Sequence, residues 1–597
     1  MKIRRYGVAV GVAAAGALLF SACSSSDNPK STTTLASTGA AKTGGTVTVA
    51  EVNQFFSFNP LTANGNTDIN SKVALATSSN FWYIDDKLKV QKDPGFGSYE
   101  VVKQDPLTVK YTLSDKAQWS DGTPVSADDL LLTWAVESGY YDDAKLDPAT
   151  GKTVSGTKYF DYAGSTLGLN DTKFPTVSDD KKSITIEYTK PFADWEVAFT
   201  MQGMPPAHVI WKKAGLASED AFIDLLKNQP KGDPSKPGKA NAQLAKVASH
   251  YGTDFDSKTL PSDPSLYLSD GPYITSAVEQ GKSVTLVPNP KYQGDHAAKL
   301  DSIVVRTIAD PQAQIQALQN GEVDVIAPQA NADTLAALDQ VPGVTVHKGN
   351  QLSYDHLDLN FTGVFKDKNV REAFLKTIPR QAVLDAIITP LDSGAKVLDS
   401  QLFVPAQDGY ADSVAGNGSS AYGAPDIDGA KALLKGATPT IDILYNSDNP
   451  NRVDAYTLIA QSASKAGFKI KDDGDVKWGE RLGDGSYDAS IFGWTSTGVG
   501  VSGVPQIFGT GQSSNFNGYS NKSADGLMSE LVQTTDVAKQ TTLQQQIDKD
   551  IFGDAYGLPL FQSIGVDAES SRVAGIDTFN PNQNGVWWNV WEWSVKS

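Results

Sequence analysis

Polar and apolar residues alternate in short β-branched runs along the chain. This predicts strands at 46–50, 108–113, 183–188, 283–287, 302–307 and 344–347. Between these runs the apolar residues recur three to four apart. That period predicts helices at 127–137, 313–319, 369–378, 428–434, 454–466 and, with breaks, 525–551. Two polar stretches, 228–241 and the Gly/Ser-rich 412–425, read as loops. Near the C-terminus, Trp591 and Trp593 alternate as residues of a closing strand would. Mixed strands and helices with long connections, and no fixed repeat, indicate α/β or α+β lobes.

One helix start is legible in detail. Ser126 precedes the apolar run as an N-cap, and Asp129 follows at the third helical position, close to a capping box. Asp128 and Asp129 also favour the positive end of the helix, so they read as structural acids.

Composition narrows the class. The 597 residues suggest about four domain-sized units at roughly 150 residues each. With 51 basic against 69 acidic side chains the net charge is −18. That is the wrong sign for a nucleic-acid binder, which needs surplus Lys and Arg. A single cysteine excludes an intramolecular disulfide framework and a cysteine zinc cluster. His208, His250, His296, His347 and His356 sit in unlike contexts and read as surface or loop residues. No metal and no cofactor is expected.

The first residues give an address. Lys2, Arg4 and Arg5 precede 15 residues of Ala, Val, Leu, Gly, Phe and Ser at 8–22. A bilayer span needs about 20 apolar residues, so the run is short and matches a secretory signal. The only cysteine, Cys23, follows at once in Leu19-Phe20-Ser21-Ala22-Cys23. This resembles a bacterial lipobox, whose cysteine is acylated, with Phe20 departing from the usual Leu. Residues 23–45, rich in Ser, Thr, Ala and Gly, read as a flexible tether.

Several motifs then occur in one order. The string Trp119-Ser120-Asp121-Gly122-Thr123-Pro124-Val125-Ser126-Ala127-Asp128-Asp129 comes first. Gly271-Pro272-Tyr273, Asn289-Pro290-Lys291-Tyr292 and Ala317-Leu318-Gln319-Asn320-Gly321-Glu322-Val323-Asp324 follow. Then come Leu359-Asn360-Phe361, Val370-Arg371-Glu372-Ala373-Phe374, Phe492-Gly493-Trp494, Asn517-Gly518-Tyr519-Ser520-Asn521 and Leu558-Pro559-Leu560-Phe561. Collinear across nearly the whole body, they resemble the extracytoplasmic solute-binding proteins of ABC importers, dipeptide/oligopeptide-binding type (family 5).

The resemblance implies an α/β, two-lobed periplasmic-binding-protein-like fold of type II, with an extra subdomain and a ligand cleft between the lobes. It divides the chain into a signal (1–22), a tether (23–45), lobe I (46–75, 176–305 and 555–597), the extra subdomain (76–175) and lobe II (306–554). It implies no catalytic residues, and partners that are the importer's permease and ATPase subunits. A monomer is expected, lipid-anchored on the outer face of the cytoplasmic membrane, carrying a peptide or similar small solute.

The same resemblance implies ligand contacts at Phe56, Asn64 and Asn66 after the first strand. It also implies Trp494, Thr495 and Thr497 around the Gly-Trp pair, Gln562 in a crossover, and Tyr354. Phe56 and Phe58 alternate as a core strand would, and Trp494 competes for a core position. Peptide-binding members often carry an aspartate where Thr497 stands. Its replacement removes the anion that would hold a peptide's α-ammonium, unless Asp488 or Asp355 supplies one.

Two other classes compete. A secreted carbohydrate-active hydrolase would suit the 23 Phe, 11 Trp and 21 Tyr and a carboxylate pair, but no Gly-x-Ser-x-Gly or His-Glu-x-x-His occurs. A ligand-sensing receptor subunit is the third. Gly498-x-Gly500-x-x-Gly503 matches the dinucleotide fingerprint by letter. Pro505 follows at once and no clean helix is evident, so it reads as a mobile cleft loop.

Overall fold

The computed structural model describes residues 41–42, 44–146, 153–495, 498–512 and 514–596. Cys23, Ser496 and Thr497 therefore lie outside the described residues.

A ten-stranded mixed sheet runs through the body, in the order Tyr273–Glu279, Ser283–Pro288, Ser302–Thr307, Thr46–Glu51, Val325–Ile326, Gly557–Ser570, Val344–Leu359, Ala489–Thr495, Thr440–Tyr445, Lys469–Gly474. Thr46–Glu51 pairs in parallel with both of its neighbours, Ser302–Thr307 and Val325–Ile326. Val47 and Val49 are buried there beside Ile303 and Val305, as interior parallel strands require. At the other end, Ile441, Ile443, Ala489, Ile491, Leu357 and Leu359 join a second core with Phe374, Val383, Leu384 and Ile459 from the covering helices.

Two strands pass between these cores. Val344–Leu359 and Gly557–Ser570 run antiparallel along most of their length. Reaching 359, the first extends far beyond the predicted 344–347. Its later half holds Asp355, His356 and Asp358, polar residues that obscure a strand pattern yet are buried.

A separate four-stranded sheet, Gly97–Gln104, Leu107–Leu113, Ser183–Glu187, Thr176–Val177, carries a third core. The sequence assigns its strands at 176–187 to lobe I. Instead Ser183–Glu187 pairs with Leu107–Leu113 and buries Ile184 and Ile186 beside Tyr111.

Over this sheet lies the helix Ala127–Ser138, buried on every side, its polar Asp128, Asp129, Thr133 and Glu137 included. It ends at Gly139, whose φ of 56° is a left-handed cap. The Trp-Ser-Asp-Gly motif folds back onto its start. Asp129 accepts the Ser126 N–H at 3.0 Å and the Ala207 N–H at 2.9 Å. Trp211 Nε1 donates to Asp128 at 2.8 Å. Burial pushes the Asp129 carboxyl well above the usual range. Both acids are structural, as the capping pattern suggests.

Three expectations need correction. The predicted loop 412–425 contains a helix, Tyr410–Gly416, and a 3-10 turn, Ser419–Tyr422. Ser413 and Asn417 reach the buried Asp548 at 2.6 and 2.9 Å, a tertiary anchor that outweighs their weak helix propensity. The tryptophan tail is a 3-10 segment, Gly585–Glu592, and only Ser594–Lys596 is strand. Val586, Trp587, Val590 and Trp591 are buried at helix-like spacing, and Trp587 Nε1 donates to Glu51 at 2.7 Å. The histidines are not surface residues as a group: His356 is 1% and His208 5% exposed.

Ala41–Lys42, expected at the end of the tether, pairs with Ser594–Lys596. Among the described residues no helix is long and apolar enough to cross a membrane.

Candidate functional site

The long strand Val344–Leu359 lies between Gly557–Ser570 and Ala489–Thr495, so three strands meet where the cores are joined. Tyr354 stands directly opposite Trp494 on one side and Gln562 on the other. Side chains at directly paired positions share a face, so these three candidates form one transverse row. Thr495, paired with Ser353, is exposed at the strand end.

The row is partly built into the core. The half-buried Trp494 ring lies nearly parallel to His356 (6.1 Å, 7°) and to Phe516 (6.0 Å, 12°). Tyr354 donates its hydroxyl to the Gln401 carbonyl at 2.9 Å, and burial pushes its phenol far up. Gln562 Nε2 donates to the Gln351 carbonyl at 2.8 Å. These bonds fix the side chains and the bulged register between 350 and 356.

The opposite face of the same strands is polar. Ser353, Asp355, Phe561 and Ser563 wall a cavity of about 110 Å³, with Gln329, Asn449 and Arg452 among its other lining residues. Arg452 Nε donates to Asp355 Oδ2 at 3.1 Å, and both side chains are about nine-tenths buried. The Arg452 guanidinium also lies 5.1 Å from the Trp478 ring centroid. Asp355 is thus engaged by a cation of its own chain.

Asp488, the other acid considered, accepts the Asp442 N–H at 3.0 Å near the opposite end of its strand. Burial raises its carboxyl. Among the described residues no three His, Cys, Asp or Glu side chains are grouped to hold a metal ion.

The contacts expected after the first strand lie elsewhere. Asn64 is exposed and donates to Asp256 at 2.7 Å. Asn66 is exposed in a tight turn, its N–H on the Thr62 carbonyl at 2.9 Å. Phe56 is half-buried, with its N–H 3.2 Å from Asn70 Oδ1. Among the described residues none of the three walls the polar cavity or touches the row. Phe55 takes the core position that alternation assigned to Phe56 or Phe58.

Sequence reading missed Arg452, Asn449 and Gln329. A signal existed for two of them. Asn449-Pro450-Asn451-Arg452 is a helix start, with Asn449 capping the Asn451 N–H at 3.0 Å and Pro450 in the first turn. It places Arg452 within the first turn of a 15-residue helix.

Two cores joined by long strands, with polar and aromatic side chains converging on the junction, define a two-lobed binding protein. The chain belongs to the bacterial extracellular solute-binding proteins, family 5, whose model matches residues 73–516. It is a substrate-binding component of an ABC importer. An uncharacterized lipoprotein of Mycobacterium tuberculosis is 25% identical over 548 residues, covering 90% of this chain and 91% of its own. The oligopeptide-binding protein OppA of the same organism is 25% identical over 499 residues, 80% and 73% of the two chains. The solved periplasmic EDTA-binding protein EppA superposes with a TM-score of 0.78 at 23% identity, over 94% of this chain and 98% of its own.

Proposed function

We propose that this protein is a lipid-anchored carrier that closes on a peptide or similar small solute outside the cytoplasmic membrane and presents it to an importer's permease and ATPase subunits, without chemistry. One observation carries the reading: Tyr354, Trp494 and Gln562 align on three adjacent strands at the junction of two cores. The name of the OppA relative supports a peptide as solute. The 110 Å³ polar cavity is below the roughly 300–1,000 Å³ of ligand pockets, so solute entry needs the lobes to part. Lobe I with its extra subdomain and lobe II are assigned as the sequence divides them, except that 176–255 moves to the subdomain, whose core its buried Ile184, Phe199, Ile210 and Phe255 share. The carrier works as a monomer.

Native mass spectrometry of the purified protein, followed by thermal shift with the ligand found, tests this. A solute binding only the folded state adds about 2.7 kcal/mol at a hundredfold excess over Kd. The melting temperature should rise, and Trp494→Ala should blunt the rise. Conversion of the bound compound to a product would overturn the carrier reading.

With Thr497 in place of an acid and Asp355 already paired to Arg452, a peptide and its N-acetylated form should bind within about tenfold of each other. A buried ammonium facing a lost carboxylate would otherwise change affinity by roughly 3–5 kcal/mol. Calorimetry on the pair decides; a hundredfold loss on acetylation restores recognition of the free amine.

The relative named a lipoprotein supports an anchor at Cys23. Two acyl chains hold a protein on a membrane where one is marginal. Cys23→Ser should therefore move the protein to the soluble fraction or leave it unprocessed. Equal partitioning of both forms, with no uptake of labelled fatty acid, rejects the anchor.

A further inference from the structure

We infer that Asp194 is a positioning residue for solute capture: it clasps the extra subdomain to lobe II and fixes the segment that leaves the site strand. Asp194 follows the subdomain strand Ser183–Glu187, in the connection to the helix Ala207–Lys213. Its carboxylate reaches across to the loop after Trp494. It accepts the Val501 N–H at 2.9 and 3.0 Å and the Ser502 N–H at 2.8 Å, and Ser502 Oγ also donates to it. Beside it the Ala193 N–H donates to the Val532 carbonyl at 2.7 Å.

The packing is reciprocal. Val532 is buried in the subdomain core, and Ala193 packs on the core of the helices at 503–553. Gly500 has φ +84°, and a Cβ there would stand 2.7 Å from Asp194 Oδ2. Its lack of a side chain is what lets the carboxylate approach. The loop read from sequence as mobile is therefore held, and a short helix, Gly503–Phe508, begins directly after it. Pro505 fits in that first turn, where no intrahelical donor is needed.

Apolar packing at this seam is incomplete. Beside the clasp an open pocket of about 380 Å³ separates Leu167, Lys190, Pro191 and Phe192 on one side from Pro505, Met528 and Val532 on the other. An unfilled seam contributes little dispersion energy. Hydrogen bonds to a charged acceptor are the stronger kind, so the Asp194 contacts hold the closed form here. Opening the lobes separates Asp194 from the loop, and closing restores the loop next to Trp494. Asp194 thereby links lobe closure to the shape of the cleft, whatever the solute.

The test needs no ligand. Small-angle scattering and hydrogen exchange are compared for the ligand-free full chain as wild type, Asp194→Ala, Asp194→Asn, Ser502→Ala and the double variant Asp194→Ala/Ser502→Ala. Asp194→Ala should enlarge the radius of gyration and speed exchange at amides 501 and 502 by at least about tenfold. Asp194→Asn should fall between it and wild type. Ser502→Ala, a change on the opposite lobe, should shift both readouts the same way, and its effect should not add fully to that of Asp194→Ala. Faster exchange at 501–502 with unchanged scattering would make Asp194 only a local loop anchor and overturn the clasp. Unchanged values in both measurements would overturn it outright. Either failure leaves the carrier reading intact, because that reading is tested by ligand binding.

Discussion

Replacing Asp567 by Asn is expected to stabilise the protein at pH 8 and to change little near pH 4. Asp567 lies on the strand Gly557–Ser570, directly opposite His347, and is 5% exposed. Burial raises its carboxyl from 3.8 to about 7, against the pull of Lys72 and His347, and Glu51 and Glu569 add to the rise. Its Oδ2 and Glu569 Oε2 are buried with no hydrogen-bond partner among the described residues.

The folded state therefore binds this proton more tightly than the unfolded chain. Stability is greatest below the unfolded value and falls as pH rises from about 4 to about 7. A neutral amide avoids the charged form, so the difference between Asp and Asn should grow across that window. At full ionisation it reaches at most the order of 4 kcal/mol. Urea unfolding of both proteins at pH 4, 6 and 8 measures it. A variant less stable at pH 8, or a gain independent of pH, refutes the assignment.

Replacing Arg380 by Met is expected to cost about 3 kcal/mol, because the buried Tyr422 and Leu398 carbonyls lose their donors at roughly 1–3 kcal/mol for each group left unsatisfied, whereas the one-third-exposed Asp399 can turn to water. Arg380 is 1% exposed. Its Nε and Nη2 donate to the Tyr422 carbonyl at 3.1 and 2.9 Å, and Nη1 donates to Leu398 O at 3.0 Å. Asp399 Oδ1 lies 2.9 Å from Nη2. The fork thus pins both ends of the segment 398–422 to one helix. Arg380→Lys should rescue little, because a point cation cannot reproduce a planar fork of donors.

That segment includes Gln401, whose carbonyl receives the Tyr354 hydroxyl, so the damage should reach the site row. Hydrogen exchange should report loosening over 398–422 together with the lower unfolding midpoint. An unfolding midpoint within error of wild type would show that the fork contributes nothing.

The buried charges differ in how far they could be foreseen. Asp128 and Asp129 carry a local signal, a capping pattern ahead of an apolar run, and the structure uses them that way. Asp567, Asp355 and Arg380 carry none, because their partners lie far away in sequence: Arg452 is 97 residues from Asp355. Local patterning placed the strands at 46–51, 107–113 and 302–307 and the helices at 127–138 and 427–434 close to their observed bounds. It failed at 410–422 and 585–592, where distant anchors, Asp548 and Glu51, decide the backbone.

The sequence by itself determined the class of this protein. Its collinear motifs, its acidic charge and its mixed strand and helix periods are properties of neighbouring residues, and they read out family and fold. Only the tertiary structure decided which candidates meet. Tyr354, Trp494 and Gln562 come together because the bulged antiparallel register of three strands sets them opposite one another. Asn64 and Asn66 do not, because their turn closes on Asp256 and Thr62. Register and ion pairing depend on side chains from tens to some two hundred residues apart, and no local period encodes them.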